Sequence, residues 1–586
     1  MEVELNFMGY YMKSFFFKLF IISCVLLFFF VYVRNVSNTS VSGDPAEVAL
    51  SDKYAPMTRS ERKIISDLIV QTIRDGLDGK QINYPDLDAY PPKWRALKTV
   101  YTTINIGSKL RGCQGNFKQE KPFLHAIVDS AYAAAFRDSR FSKLTQKEFE
   151  DPDFNFYITV LSEKKPLSFK DEKDIIRQLV PFQYGVILTY KPENKSEKRG
   201  LFLPSVWKKN PDPKQFWQKL KKKAHIKENF FSNQFQVTYF PAETIRDLDF
   251  IQRQDEVRIQ SALTAYKKLF QSDGHVQYEV NFGKEEGTDK NNLVREMGSG
   301  YGLAYTYYIT HDQTLQPIVK RFLTYVQSMT VPHRNGVLIS DNPDKAPAGA
   351  SAFALLAILY YEQESQDTSF RQLRENIKNG LVSLFEENVG IHRSPICKAT
   401  SPHYDGETWL SLVMYHIFYP EDKILSKLIP NFNKTMYDKY SDKYLYSFFH
   451  WGTQAAAHYF AKTQDPLMHD FLKKQLNIYI DTIPFQAKFS TCSYAEGLGE
   501  AALALQGRDE ALYKKVLVRL ENQLDAVRLL QDVLFQKDKQ GKVNLNAKPY
   551  LGLFLRAPNR LKTRNDVTQH CLSALLKAQL VFRNVQ

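Results

Sequence analysis

The sequence predicts a multidomain protein: an N-terminal transmembrane helix, then an α+β domain, then an all-α domain of repeated helical hairpins arranged like an α/α toroid. Three observations predict it. Residues 14–33 form an almost unbroken apolar run. Residues 53–248 alternate helical periodicity with short β-rich runs, and from about residue 251 long amphipathic helices rich in Leu, Ala and Tyr take over. At 586 residues the chain exceeds one ordinary core, and 44% hydrophobic with 24% charged residues excludes a chain dominated by disorder.

The first element is Ser14 to Val33, SFFFKLFIISCVLLFFFVYV, interrupted only by Lys18. A helix of that length at about 1.5 Å per residue spans roughly the 30 Å hydrocarbon core. Lys18 lies near its start, where the stem can snorkel toward headgroups, and Tyr32 lies near the opposite interface. Residues 1–35 are therefore expected to be a cytoplasmic stub and single-pass anchor. Lys13 and Lys18 precede the core and Arg34 follows it, which places the body on the extracytoplasmic side. A cleaved signal peptide is the rival reading, and the long run without an A-x-A site argues against it. Residues 36–52 lack apolar periodicity and read as a linker; in a eukaryote Asn35 and Asn38 head glycosylation sequons.

The net charge of +14 suits an anionic partner such as an acidic glycan or a phospholipid headgroup. The densest basic run, Lys219 to Lys223 broken by Leu220, reads as the solvated face of a helix. There is no recognition helix, zinc-finger spacing or ribonucleoprotein motif, so nucleic acid is not an expected partner. Five cysteines (Cys24, Cys113, Cys397, Cys492, Cys571) show neither a CxxC pair nor the spacing of a disulfide framework or zinc site. Four of them lie outside the apolar run and could pair in an oxidising compartment.

In the α+β domain, TVYTTINI, FNFYITVL and YGVILTY read as strands. After the first comes Leu110-Arg111-Gly112-Cys113-Gln114-Gly115, whose glycines are expected to make a tight turn bringing Arg111 and Cys113 together. Cys113 is then either a thiol activated by Arg111 or a small buried residue, and without a local histidine the structural reading is the stronger.

This hexapeptide resembles the LRGCxG hallmark of the AMME chromosomal region gene 1 protein (AMMECR-one) domain family. The likeness continues through the alanine-rich Asp129 to Phe149, with a D-x-R-F step at Asp138 to Phe141, and through FYITVLSEKKPL. It extends to RGLFLPSVW (Arg199 to Trp207) and to FWQKLKKKAHI, which ends in Lys223-Ala224. Gln114 and His225 depart from the usual family residues. The resemblance implies an α+β fold of two unequal subdomains, a soluble domain without an established activity, and a binding role for Leu110, Arg111, Gly112, Cys113 and Gly115. No CxxxCxxC is present, which excludes a radical centre held by this chain.

In the helical domain, segments opening with small residues recur at Gly298, Ala348, Asp405, His450 and Ala495, roughly 45 to 55 residues apart, the period of stacked helical hairpins. The pattern is similar to the toroids of glucuronyl epimerases, N-acylglucosamine epimerases and polysaccharide lyases or hydrolases. In such toroids inner-helix starts line the cleft. Asp405, Glu407, Glu496 and Glu500 are thus candidate catalytic acids and bases, and Arg295, Glu296, Tyr404, Trp409, His450 and Trp451 candidate binding residues. Taken singly, each is better explained by a structural role, as Glu496 and Glu500, four apart, would cap or charge a helix start; as a cluster they are the pocket candidates. No HExxH or repeated histidine spacing occurs, so no metal is expected, nor any other cofactor.

The expected function is a membrane-anchored protein that binds or modifies carbohydrate through its toroid. The alternative is a non-catalytic tethered protein presenting both domains to protein partners, and a third, smaller prospect is thiol chemistry at Cys113.

Overall fold

A computed structural model describes residues 59–583 apart from 108, 116–120, 162–163, 180–183, 194–195, 209, 211, 247, 284–290, 343–344 and 484–489. The expected anchor over 1–35 and linker over 36–52 lie outside the described residues. Among the described residues no helix is long and apolar enough to cross a membrane, so the fold class is corrected to an α+β domain followed by a helical one. Their most apolar helices owe that character to burial against other helices of the same chain.

The α+β part comprises α1 (Arg59–Leu77), β1 (Thr99–Ile106), β2 (Lys109–Gly115), α2 (Phe123–Phe136), β3 (Phe154–Leu161), β4 (Lys165–Pro166), α3 (Glu172–Gln178), β5 (Tyr184–Tyr190), β6 (Lys198–Phe202), α4 (Pro213–Lys223) and β7 (Gln236–Arg246). All the strand pairings are antiparallel, in the order β2-β1-β3-β7-β5-β6, with β4 also on β7. Two cores form because helices cover two regions of this sheet. Ile65, Ile69 and Ile73 of α1, four apart on one helical face, pack with α2 against β1 and β3. Phe216, Trp217 and Leu220 of α4 pack with Trp207 against β5 and β7. The basic run on α4 is only partly a solvated face. Lys221 is fully buried and donates to Glu172 Oε1 (2.6 Å), since a buried ammonium requires a partner.

The helical part begins with α5 (Leu248–Lys267). It continues with β8 (Glu279–Asn281), α6 (Leu293–Thr310), α7 (Gln316–Ser328), the hairpin β9 (Thr330–His333) and β10 (Gly336–Ile339), α8 (Ala348–Ser365) and α9 (Arg371–Val382). Next come β11 (Phe385–Glu386), β12 (Gly390–Ser394), β13 (Cys397–Thr400), α10 (Pro402–Phe418), α11 (Lys423–Tyr440), α12 (Tyr446–Thr463), α13 (Pro466–Thr482), α14 (Ser490–Leu505), α15 (Glu510–Lys539), β14 (Lys562–Arg564) and α16 (Asn565–Arg583). Helices α6, α8, α10, α12, α14 and α16 each pack on the next, and α16 returns to α6, closing an inner ring. The other six pack outside it. The expectation of a purely helical domain is corrected here: small antiparallel pairs, β9 with β10, β11 and β13 with β12, and β14 with β8, stand before inner-helix starts.

Local chemistry repeats with the hairpins. Inner helices α6, α8 and α12 end on left-handed residues, His311 (φ 56°), Gln366 (φ 59°) and Gln464 (φ 58°), whose N–H groups return to the carbonyls of Tyr307, Glu362 and Phe460. An aspartate follows each. Asp465, for example, accepts from Met468 N (2.9 Å) and so caps α13.

Candidate functional site

The amino ends of the inner helices meet around a cleft of about 380 Å³. Helix α10 opens on Pro402, whose ring suits a first helical turn, and delivers His403, Tyr404 and Glu407 to the cleft. Helix α12 brings His450 and Trp451, and α16 brings Asp566, Gln569 and His570. Arg295 arrives on the first turn of α6, its Nε ion-paired with Asp566 Oδ2 (3.2 Å) and its Nη1–H donated to the Tyr278 hydroxyl (2.8 Å).

Burial sets the protonation states. Glu407 is 4% exposed, its Oε2 has no hydrogen-bond partner, and burial pushes its pKa up to about 8, with Arg295 acting weakly the other way. It is therefore protonated at neutral pH. Space for it exists only because residue 349 is glycine, where a Cβ would lie 2.1 Å from Glu407 Oε2. His450 is 4% exposed and neither ring nitrogen has a partner. Burial, followed by His570, His403 and Lys577, holds its pKa well below the usual histidine range, so the imidazole is neutral. Its ring lies 4.2 Å from that of Trp451 and 5.2 Å from that of His570, centroid to centroid. His570 Nδ1 meets Glu496 Oε2 at 2.7 Å, while Glu496 Oε1 is unpartnered.

His450, Glu496 and His570 also have the composition of a metal-binding set. Each offers one ligand atom, and the three atoms lie within 4.8 Å of one another. Sequence spacing does not show this, because the three sit on three inner helices far apart in the chain.

Several other sequence candidates are committed elsewhere. Asp405 accepts from Ile391 N (2.7 Å), Lys439 Nζ (2.8 Å) and the Tyr440 hydroxyl, which fastens β12 and α11 to the inner ring. Glu296 accepts from Val276 N (2.8 Å) and Asn291 Nδ2 (3.0 Å) and meets His275 Nδ1 at 2.6 Å. Trp409 is core, donating Nε1–H to Asn433 Oδ1 (2.8 Å). Glu500, one turn beyond Glu496, meets Lys577 Nζ (3.0 Å) and His458 Nδ1 (3.3 Å). Burial favours its neutral form, but His458 and Lys577 outweigh burial and hold its pKa below the usual range. The cleft also includes His403, Arg393, Arg556, Arg564 and His570, none of which begins a recurring small-residue segment.

In the α+β part, Leu110 to Gly115 is not a turn but strand β2, paired with β1. Its glycines serve close packing. A Cβ on Gly112 would lie 2.1 Å from Ala134 O of α2, and one on Gly115 2.3 Å from Val100 O. Arg111 is not positioned to activate the thiol, because its guanidinium grips Glu148 (2.7 and 3.0 Å). Those bonds, ahead of the Thr145 contacts, hold Glu148 at a pKa of about 2. Cys113 N–H donates to Asp138 Oδ2 (2.8 Å), and Arg140 ties the same carboxylate to Cys113 O (3.1 Å). The D-x-R-F step is thus the clamp on the cysteine strand.

Together these features define a two-part protein: an antiparallel α+β domain with a clamped LRGC strand, joined to a closed ring of helical hairpins with a cleft that holds buried carboxyl and imidazole side chains. The chain belongs to the AMMECR1 family, whose pattern it matches over residues 67–245. A curated relative from Methanothermobacter thermautotrophicus is 30% identical over 155 residues, 26% of this chain and 76% of that one. An uncharacterized protein of Pyrococcus horikoshii is similar over 31% of this chain and 88% of its own, at 23% identity and TM-score 0.28. An α-1,6-mannanase of glycoside hydrolase family 76 from Salegentibacter sp. covers 56% of this chain and 99% of its own, at 12% identity and TM-score 0.42.

Proposed function

We propose that the toroid is an enzyme that binds a saccharide in its cleft and acts on it by general acid–base chemistry. One observation carries the reading: the cleft holds a buried carboxyl kept protonated near neutral pH and a neutral, unpartnered imidazole, Glu407 and His450. Environments that push two titratable groups in opposite functional directions are what paired acid and base catalysis requires. Glu407 supplies the proton and His450 accepts one. His570, oriented by Glu496, is the second imidazole within reach. The indole of Trp451 and the phenol of Tyr404 offer flat apolar surface against which a sugar ring packs.

The test is turnover of a saccharide panel by the full chain. Glu407→Gln and His450→Ala should each lower kcat by roughly 10²- to 10⁴-fold, the usual size of an acid–base contribution, with melting temperature retained. No turnover and no binding across neutral and acidic saccharides would sink the proposal. A second reading rests on the convergence of His450, Glu496 and His570: a divalent metal with three protein ligands. Stoichiometric metal in the purified protein, lost with His570→Ala, would favour it over acid–base chemistry by His450.

A further inference from the structure

The net charge of the chain is concentrated in one part of the α+β domain. From β4 to the start of β7, residues 165–235 hold 16 Lys and Arg against 7 Asp and Glu, a net +9 of the chain's +14. Four of these lysines, Lys170, Lys191, Lys222 and Lys227, are exposed and have no ion pair or side-chain hydrogen bond among the described residues. Contacts gather them at one end, around the loop that leaves α4. His225 N–H donates to Lys222 O (3.0 Å) and His225 is left-handed (φ 56°), so the chain turns at once from Lys222 to Lys227. Phe230 N–H donates to Lys227 O (3.0 Å), and the Phe230 ring lies 5.3 Å from that of Tyr190, the neighbour of Lys191. The next ring, Phe231, lies 6.2 Å from Phe169, the neighbour of Lys170. Phe230 itself, to which these contacts lead, is 39% exposed. Glu228 is the acid of this loop, and Glu193 and Glu197 lie on the connection from β5 to β6; all three are within the count.

The helix dipole accounts for Lys222, a cation at the carboxyl end of α4. It accounts for neither the lysines on the neighbouring segments nor a phenylalanine left in water among them. Ammonium groups clustered around an exposed apolar ring are the chemistry of a surface that meets anionic headgroups over an apolar layer. The basic residues of this part are 14 Lys and 2 Arg. Lysines act as point charges on flexible stems, which suits a mobile plane of charge, whereas forked recognition of a sulfate or carboxylate favours arginine. We propose that this end of the α+β domain docks on an anionic phospholipid surface, with Lys170, Lys191, Lys222 and Lys227 over the headgroups and Phe230 entering the interface. The contact is peripheral and requires no helix through the bilayer. It goes beyond the saccharide reading of the toroid and stands apart from it.

The experiment is sedimentation of the full chain with vesicles of phosphatidylcholine alone and of phosphatidylcholine with about one third phosphatidylserine. Partitioning onto the anionic vesicles should be at least about tenfold stronger, and should fall at least about threefold between roughly 50 and 300 mM salt as the Debye length shortens. The triple variant Lys191→Gln, Lys222→Gln, Lys227→Gln should weaken it at least about tenfold. Phe230→Ser should weaken it roughly fivefold and leave the salt dependence in place. The same change at three exposed lysines of the helical part, Lys423, Lys427 and Lys462, should alter it by less than about twofold. Unchanged melting temperatures would show that the variants fold. Equal binding to both vesicles is what the apolar run of residues 14–33 alone would give, and equal losses from the two triple variants are what net charge alone would give; either would overturn the proposal. Tighter binding of heparin than of the anionic vesicles, with Phe230→Ser without effect, would also overturn it and assign the surface to an acidic polysaccharide.

Discussion

Glu407 and His450 show how burial, ahead of neighbouring charges, can set chemistry at single residues, since both have their charged forms disfavoured by desolvation. For Glu407 the consequence for stability is directional. A carboxyl whose folded pKa lies above its unfolded value holds its proton more tightly when folded. Its contribution is therefore fully present below about 4.5 and is lost as pH rises through about 8. Each unit of that window is worth about 1.4 kcal/mol before local relaxation reduces it. Thermal unfolding at pH 5 and pH 8 should show the wild type losing stability across the window. Glu407→Gln should lose less and exceed the wild type by about 2 kcal/mol at pH 8. Parallel pH profiles for the two proteins would assign the titration to another group.

At the scale of elements, the Cys492–Cys571 disulfide joins α14 to α16, the two inner helices that carry Glu496 and His570. Cys571 directly follows His570 and Cys492 lies one turn before Glu496, so the bridge fixes the register in which that carboxylate meets that imidazole. Replacing both cysteines with alanine should lower stability by about 2–4 kcal/mol, read from denaturant unfolding. Added reductant should produce the same loss in the wild type and none in the double variant. Equal stability of wild type and variant would show that the bridge is not formed.

The pairing is not legible in the sequence, because it joins cysteines 79 residues apart with no framework spacing. Five of the inner helices are legible, because small residues such as Gly298, Ala350, Gly406, Gly452 and Gly497 recur where helices approach closely. The sixth, α16, has no such opening and escapes the pattern for a physical reason: it fills notches that the other helices leave. Gln569 occupies the space where a Cβ on Gly302 would lie, and Lys577 packs against Gly499. Arg556 sits on an irregular connection and Arg393 on the five-residue strand β12, both too short of pattern for periodicity to mark their position. The LRGC segment reads as a turn because glycine is ambiguous between conformational freedom and close approach, and here close approach decides.

At the scale of the whole molecule, the α+β and helical parts form one compact unit, and the long outer helix α15 is the seam. Glu521, Asp525, Arg528 and Asp532 recur at helical spacing along it, so one face carries all four. Glu521 pairs with Arg62 of α1 (2.8 Å), and Asp525 with Arg246 at the end of β7. Arg528 reaches Asp255 of α5 (2.7 Å), and Asp532 meets Arg258 (3.0 Å). Asp525 is the joint, since it takes both Arg246 and, at 3.1 Å, Arg528. An exposed pair contributes little, whereas removing one partner of a largely buried pair strands the other charge. Asp525→Ala should therefore cost about 2–3 kcal/mol, below the fully buried range because these groups keep some exposure to water. The loss should fall on coupling between the parts. Calorimetry of the wild type should give one transition and Asp525→Ala two, the α+β part melting first because it has the smaller cores. Lys434→Ala, which breaks an exposed i,i+4 pair with Asp438, is the control and should change neither the number of transitions nor their temperatures appreciably. A single transition for Asp525→Ala at the wild-type temperature would show that apolar contacts, not this charged seam, join the two parts.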